Sequence, residues 1–216
     1  MRRVYIDFET RSECNLKEAG AWIYAKHPST QVLCLAYAID DEPVQLLTSC
    51  EEIPACFSSQ TDTVYIAHNA FFEQCIWLHC MVKQHGWPMI GSWLWRDSAA
   101  KAAVFALPRS LEGAASALGL QYQKDMDGHR VMLRLSKPKK PSMKDPSHWD
   151  NSPHKFNKLY AYCMQDVEAE REIDKTLPDL QGFEHDVWLE DQRINFKGVL
   201  IDKKLVNAAL TGIAKY

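Results

Sequence analysis

Arg3-Val4-Tyr5-Ile6-Asp7-Phe8-Glu9 alternates side by side, with Val4, Ile6 and Phe8 on one face and Tyr5, Asp7 and Glu9 on the other. A period of two marks a β-strand with at least one packed face. Working outward, residues 31–39 (Gln-Val-Leu-Cys-Leu-Ala-Tyr-Ala-Ile) form a long apolar run that suits a central strand. Asp40-Asp41-Glu42-Pro43 reads as a turn, and residues 44–48 as the return strand of a hairpin. Residues 63–67 and 93–97 supply two more short strands, so five are predicted.

Helices separate and follow the strands. Asn69 is placed to cap a helix over 70–84, ended by His85-Gly86-Trp87-Pro88. Residues 98–105 and 110–118 read as helices, the second stopped by Gly119. Residues 136–155 are rich in proline and lysine and poor in aliphatic side chains, which predicts a loop. A strong helical pattern runs from Phe156 to about Thr176, another from Phe183 to Phe196, and Asp202 caps a last helix still running at Tyr216. Strands first, with helices between and after, predict an α/β fold built on a mixed sheet. We divide the chain at 1–178 and 179–216, the second part a helical tail whose apolar face suggests a partner.

The 216 residues are 46% hydrophobic and 25% charged, which excludes a disordered or low-complexity chain. No apolar run reaches the ~20 residues of a membrane span, and the start turns acidic at Asp7 before a secretory core could form. Seven cysteines without paired spacing read as reduced thiols, the pattern of a cytoplasmic protein. A net charge of −3 argues against nucleic-acid binding by bulk charge.

Chemistry concentrates in acidic side chains. Asp7 and Glu9 share one strand face, where two carboxylates repel unless a cation lies between them; the alternative is a solvated face of an edge strand. Glu73 follows His68 and Asn69 just past a strand, where active-site groups gather, or it merely complements the positive end of its helix. Tyr162 and Asp166 are four apart and share a helix face beside Leu159, Cys163 and Val167; they too have a plain surface reading. Cys75, His79 and Cys80 lack the usual zinc spacing, and Trp77, Trp93 and Trp95 read as core.

The order of these elements is more specific than any one of them. Asp7-Phe8-Glu9-Thr10, then His68-Asn69-Ala70-Phe71-Phe72-Glu73, then Tyr162-Cys163-Met164-Gln165-Asp166 resembles the three motifs of the DnaQ-like exonuclease superfamily, in its tyrosine-containing branch. Within it, the chain is most similar to the proofreading domain of polymerase I-like (family A) DNA polymerases of bacteriophage type. Leu107 to Leu120 resembles the bridge between the second and third motifs, and Asp191 to Asp202 the segment leading into the polymerase body. The superfamily's usual second-motif residue is aspartate; Glu73 carries one more methylene and can still meet a cation or its water.

That resemblance implies a ribonuclease H-like, five-stranded mixed sheet with the first strand central. It implies two divalent cations, Mg²⁺ or Mn²⁺, about 3.5–4 Å apart. Asp7 would bridge both, Glu9 and Asp166 would complete one site, Glu73 would serve the other, and Tyr162 would orient the attacking water. The implied reaction releases nucleoside 5′-monophosphates from a single-stranded DNA 3′ end, in the service of a polymerase domain in the same chain or a separate one. Phe8, Thr10, His68 and Asn69 are then candidates for contact with the nucleic acid, and Lys137, Lys139 and Lys140 (in the stretch 137–144) for contact with its phosphates. Two other functions are carried forward: an RNA-trimming nuclease resembling ribonuclease D, and a non-catalytic nucleic-acid clamp or polymerase scaffold.

Overall fold

The computed structural model describes residues 1–58, 60–121, 125–140 and 148–214. Its elements are β1 (Arg2–Arg11), α1 (Leu16–Lys26), β2 (Gln31–Ile39), β3 (Gln45–Leu47), α2 (Ala55–Ser58), β4 (Thr63–Ala67), α3 (Phe71–Ile76), a π-helical turn (Trp77–Val82), α4 (Lys83–His85), a 3-10 turn (Ser92–Leu94), β5 (Trp95–Asp97), α5 (Ser98–Val104), α6 (Leu111–Ala117), α7 (Met126–Leu135), α8 (Pro153–Thr176), α9 (Gly182–Lys197) and α10 (Lys203–Ile213). The strands form one sheet in the order β3-β2-β1-β4-β5. β1 is central, antiparallel to β2 and parallel to β4, which is parallel to β5. This is the ribonuclease H-like mixed sheet flanked by helices.

The alternation of β1 sorts its side chains between two cores. Val4, Ile6 and Phe8 join one built with Phe57, Tyr65, Trp77 and Trp95. Tyr5 joins the other with Cys34, Ala36 and Ile66, closed by Cys163 and Val167 of α8. Both faces are therefore covered, which removes the edge-strand reading of Asp7 and Glu9. Pairing with β2 slips after Glu9, which faces Cys34, whereas Thr10 faces Val32. Such a bulge turns the end of a strand and commonly sits beside a functional site.

Several expectations need correction. Asn69 does not cap the helix after β4: the N-cap position is Ala70, without a side-chain bond, and Asn69 lies in the left-handed region at φ 73°. The helix predicted over 70–84 widens into a π turn at Trp77 before closing at Gly86, also left-handed. Trp93 is 67% exposed, lifted out of the core by the 3-10 turn before β5. Helix α7 occupies a stretch left unassigned, and α1 precedes β2 where none was expected. All seven cysteines are unbridged. Among the described residues no helix is long and apolar enough to cross a membrane.

Candidate active site

β1 and β4 run parallel, so their C-terminal ends open on the same side of the sheet. There a cleft of about 520 Å³ is lined by Asp7, Phe8, Glu9 and Thr10 of β1, His68 and Asn69 after β4, Phe72 and Glu73 of α3, and Tyr162 and Asp166 of α8. The four acidic residues and the tyrosine singled out in the sequence thus meet in one place, although the third group lies more than 85 residues beyond the second.

The cleft is hostile to charge. Glu9 is 8% exposed and Glu73 4%. Asp7 Oδ2 and Glu73 Oε2 are shielded from solvent and accept no hydrogen bond. Burial pushes the Asp7 carboxyl up to about 6, while the Cys163 thiol, which donates to the Asp7 carbonyl, is itself held well up. Glu9 is held well above the usual carboxylate range by burial, then by the charges of Asp7, Cys34, Asp166 and Glu73. Glu73 is raised by burial and by Asp7 and Asp97. Buried carboxylates without partners are costly, and hard oxygen donors lining one cleft suit a divalent cation. Among the described residues no three acidic, histidine or cysteine side chains are grouped closely enough to hold a metal ion; the carboxylates line the cleft as separate donors drawn from three elements. Cys75, His79 and Cys80 form no such group either: the cysteines are buried and His79 stacks edge-on against Trp22.

The corner between β4 and α3 is tightly held. The His68 amide donates to Glu170 Oε2 at 3.0 Å, and the Asn69 amide to Asp97 Oδ1 at 3.0 Å. Both His68 ring nitrogens are engaged, Nδ1 with Ser98 Oγ and Nε2 with the Arg109 carbonyl, and burial pushes the imidazole toward its neutral form. His68 therefore fastens the scaffold to the bridge segment, and its ring has no nitrogen left for a nucleic acid. Phe8 belongs to the core, edge-on to Trp77, and the Thr10 hydroxyl is bonded to Tyr24. Both line the cleft, but both are buried. Asn69 is exposed at its mouth. Of the lysines, Lys137 lines the cleft; Lys139 and Lys140 do not, and Lys139 is fixed by its amide to the His148 carbonyl. Lys144, in the same predicted phosphate-contacting stretch, lies outside the described residues.

Two walls escaped the sequence reading. One is the start of α1, with Asn15, Leu16, Lys17 and Tyr24; the other is the end of α7, with Met132, Leu133 and Ser136. Their caps were visible in principle: Asn15 accepts from the Lys17 amide, and Asp125 from those of Asp127 and Gly128. Gly128 lets α7 approach α8, since a Cβ there would stand 2.8 Å from Tyr162 Cδ2. The third omission is Glu170, one turn beyond Asp166, which is 2% exposed and whose Oε1 accepts no bond. Its one sequence signal is the four-residue spacing Tyr162, Asp166, Glu170, Asp174, which the charged residues around it disguise as a solvated helix face.

No family model matches the chain. Over its whole length the chain is 34% identical to a DNA polymerase of Bacillus phage SP02, of which it spans 34%. Its fold is similar to part of a family B DNA polymerase from the archaeon Pyrobaculum calidifontis, with a TM-score of 0.52 at 16% identity, covering 81% of this chain and 24% of that one. The chain is thus related to a phage DNA polymerase over about a third of that protein's length, and carries a fold present in another.

Proposed function

We propose that the cleft is a 3′-5′ exonuclease centre of the tyrosine-containing DnaQ-like type, acting on single-stranded or frayed DNA ends beside a polymerase. One observation carries the reading: Asp7, Glu9, Glu73, Asp166 and Tyr162, in the order of the three motifs, line a single cleft at the strand ends. The relation to a phage DNA polymerase supports DNA as the substrate and proofreading as the setting. Asp7, Glu9 and Asp166 would hold one divalent cation and Asp7 with Glu73 a second, Mg²⁺ or Mn²⁺, which supply Lewis acidity toward the phosphate and the attacking water.

The chain's own groups do the rest. The Tyr162 phenol stands at the cleft to orient a water in line with the scissile bond. Water oxygen bonds to phosphorus, the bond to the 3′ oxygen of the preceding nucleotide breaks, and the water's proton ends in solvent or on that oxygen. Phe72, Met132 and Leu133 offer an apolar wall for a base, and Lys17 and Lys137 bring positive charge to phosphates near the carboxylates. Residues 1–178 would form the nuclease and 179–216 the connection to a polymerase body; of the latter, α9 packs on the nuclease core through Trp188, and α10 buries none of its side chains.

The test is digestion of 5′-labelled single-stranded DNA, with a parallel RNA oligonucleotide, with and without Mg²⁺ or Mn²⁺. A ladder of shortening DNA with mononucleotide product, abolished by Asp7→Ala, is expected. Preferential RNA trimming would move the reading to a ribonuclease D-like enzyme; cation-independent binding without cleavage would move it to a clamp.

A further inference from the structure

Glu170 belongs to none of the three motifs, yet it is buried against the corner that leads into the cleft. It projects from α8 one turn past Asp166 and is 2% exposed. Its Oε2 accepts the His68 amide at 3.0 Å, while Oε1 is shielded without a partner. Burial, and then the charges of Asp7 and Glu73, the two residues assigned to the second cation, hold its own carboxyl well above the usual range, and it does not line the cleft itself. The amide it holds opens the two-residue corner His68-Asn69, where the chain turns from β4 into α3 through a left-handed asparagine. A non-glycine residue in that region is uncommon and persists where its surroundings fix it. Asp97 holds the second amide of the corner. Glu73 is presented four residues on, so the corner's setting decides where its carboxylate stands relative to Asp7.

We propose that Glu170 is a positioning residue. By holding the His68 amide it locks the β4–α3 corner, and so sets the distance between Asp7 and Glu73 for the second divalent cation. The inference rests on the reading of the cleft as a cation site and adds the device that tunes it. Groups that orient metal ligands from outside the shell typically govern affinity by about 10- to 100-fold.

Two substitutions separate the anchor from the charge. Glu170→Gln keeps an oxygen at the right reach but removes the negative charge; Glu170→Asp keeps the charge but falls one methylene short of the amide. Mn²⁺ titration of the whole chain by electron paramagnetic resonance, with no nucleic acid present, reads both sites directly. The anchor role predicts that Glu170→Gln binds within about twofold of the parent, while Glu170→Asp loses about 10-fold at the weaker site. Exonuclease kcat should fall with it in Glu170→Asp, with KM for DNA unchanged. Hydrogen exchange of the His68 amide should accelerate in Glu170→Asp and stay slow in Glu170→Gln. Equal Mn²⁺ binding and equal exchange in both variants would overturn the proposal. So would loss in Glu170→Gln alone, which would make Glu170 a charge donor to the cation. A parent protein that binds no Mn²⁺ would instead overturn the nuclease reading, and the exchange measurement would still decide whether the anchor exists.

Discussion

Helix α8 follows β1 from Glu9 back to Arg3, and acidic side chains meet opposite fates at the two ends of that contact. At the Arg3 end, Asp174 accepts from Arg3, Lys101 and the Tyr5 hydroxyl, and Asp179 accepts from Arg3 and Lys101 as well. Two acids face two bases, with Lys101 and Asp174 each 1% exposed at the side chain. At the Glu9 end, Glu9, Glu73 and Glu170 are buried and Asp7 partly so, and none of the four forms an ion pair with lysine or arginine among the described residues. Arg3 of β1 and Lys101 of α5 supply counter-charges to Asp174, one turn past Glu170 on the same helix, and no lysine or arginine among the described residues does the same for those four. Charge closed within the protein makes structure; charge left open makes a site, at a cost in stability that folding must absorb elsewhere.

The strongest way to break this contrast is to remove carboxylates from the cleft. Asp7→Ala and Asp166→Ala should each cut mononucleotide release from single-stranded DNA by more than about 100-fold, beyond what an outer-shell change costs, with circular dichroism unchanged. Full activity in Asp7→Ala would show that the open carboxylates are not the chemistry. The closed end should answer in the other currency. Lys101→Met leaves Asp174 with Arg3 and Tyr5 only, and should lower unfolding free energy by about 3 kcal/mol, the low end for a broken buried pair. Urea titration measures it, and Lys101→Met with Asp174→Leu should recover most of the loss. An equal stability loss in Asp7→Ala would erase the distinction between the two ends.

A smaller effect sharpens the geometry of the open end. Tyr162→Phe should slow cleavage by about 10-fold or more while leaving Mn²⁺ affinity alone, because the ring stays and only the hydroxyl that orients water is lost. Gly128→Ala should do part of the same from a distance. Its Cβ would crowd the capping Asp125 Oδ2 first and Tyr162 Cδ2 at 2.8 Å, so the cap, the ring or α7 must give way. A change in Mn²⁺ binding in either variant would place Tyr162 among the cation-holding groups.

What the sequence disclosed divides along the same lines. β1 was legible because a period of two with alternating Val4, Ile6 and Phe8 has few other solutions, and the three motifs because their order is specific. Glu170 and Asp174 were not, because Glu168, Glu170, Arg171, Glu172 and Asp174 together look like a solvated helix face. Their burial depends on partners far along the chain: the His68 amide for one, Lys101 for the other. The walls from α1 and α7 were missed for a related reason. Each is a short helix whose apolar side packs on elements far along the chain, α1 in the core with Trp77 and α7 against Leu33 and Leu159. Trp93 misled because an apolar neighbourhood in sequence says nothing of the turn that lifts its ring over Gly91.

The gentlest test uses acid. Asp179 is held well below the usual carboxylate range, chiefly by its hydrogen bond to Arg3 and then by Lys101. A carboxyl whose folded-state pKa is depressed contributes stability that is complete above its unfolded value near 4, and that is lost as pH falls through the folded value. The closed end should therefore weaken between about pH 4 and pH 2. The open end has the contrary sign: Asp7, raised to about 6, favours the folded state while protonated and loses that advantage as pH climbs from about 4 through 6. Replacing Asp179 by Asn should flatten only the acid limb of a plot of melting temperature against pH, by a degree or two at most because its side chain is 38% exposed and screened. Replacing Asp7 by Asn should flatten only the limb between about pH 4 and 6, raising stability at neutral pH. If the two variants flatten the same limb, the ends of the helix are electrostatically one network, and the contrast between a closed and an open half of the α8–β1 contact does not hold.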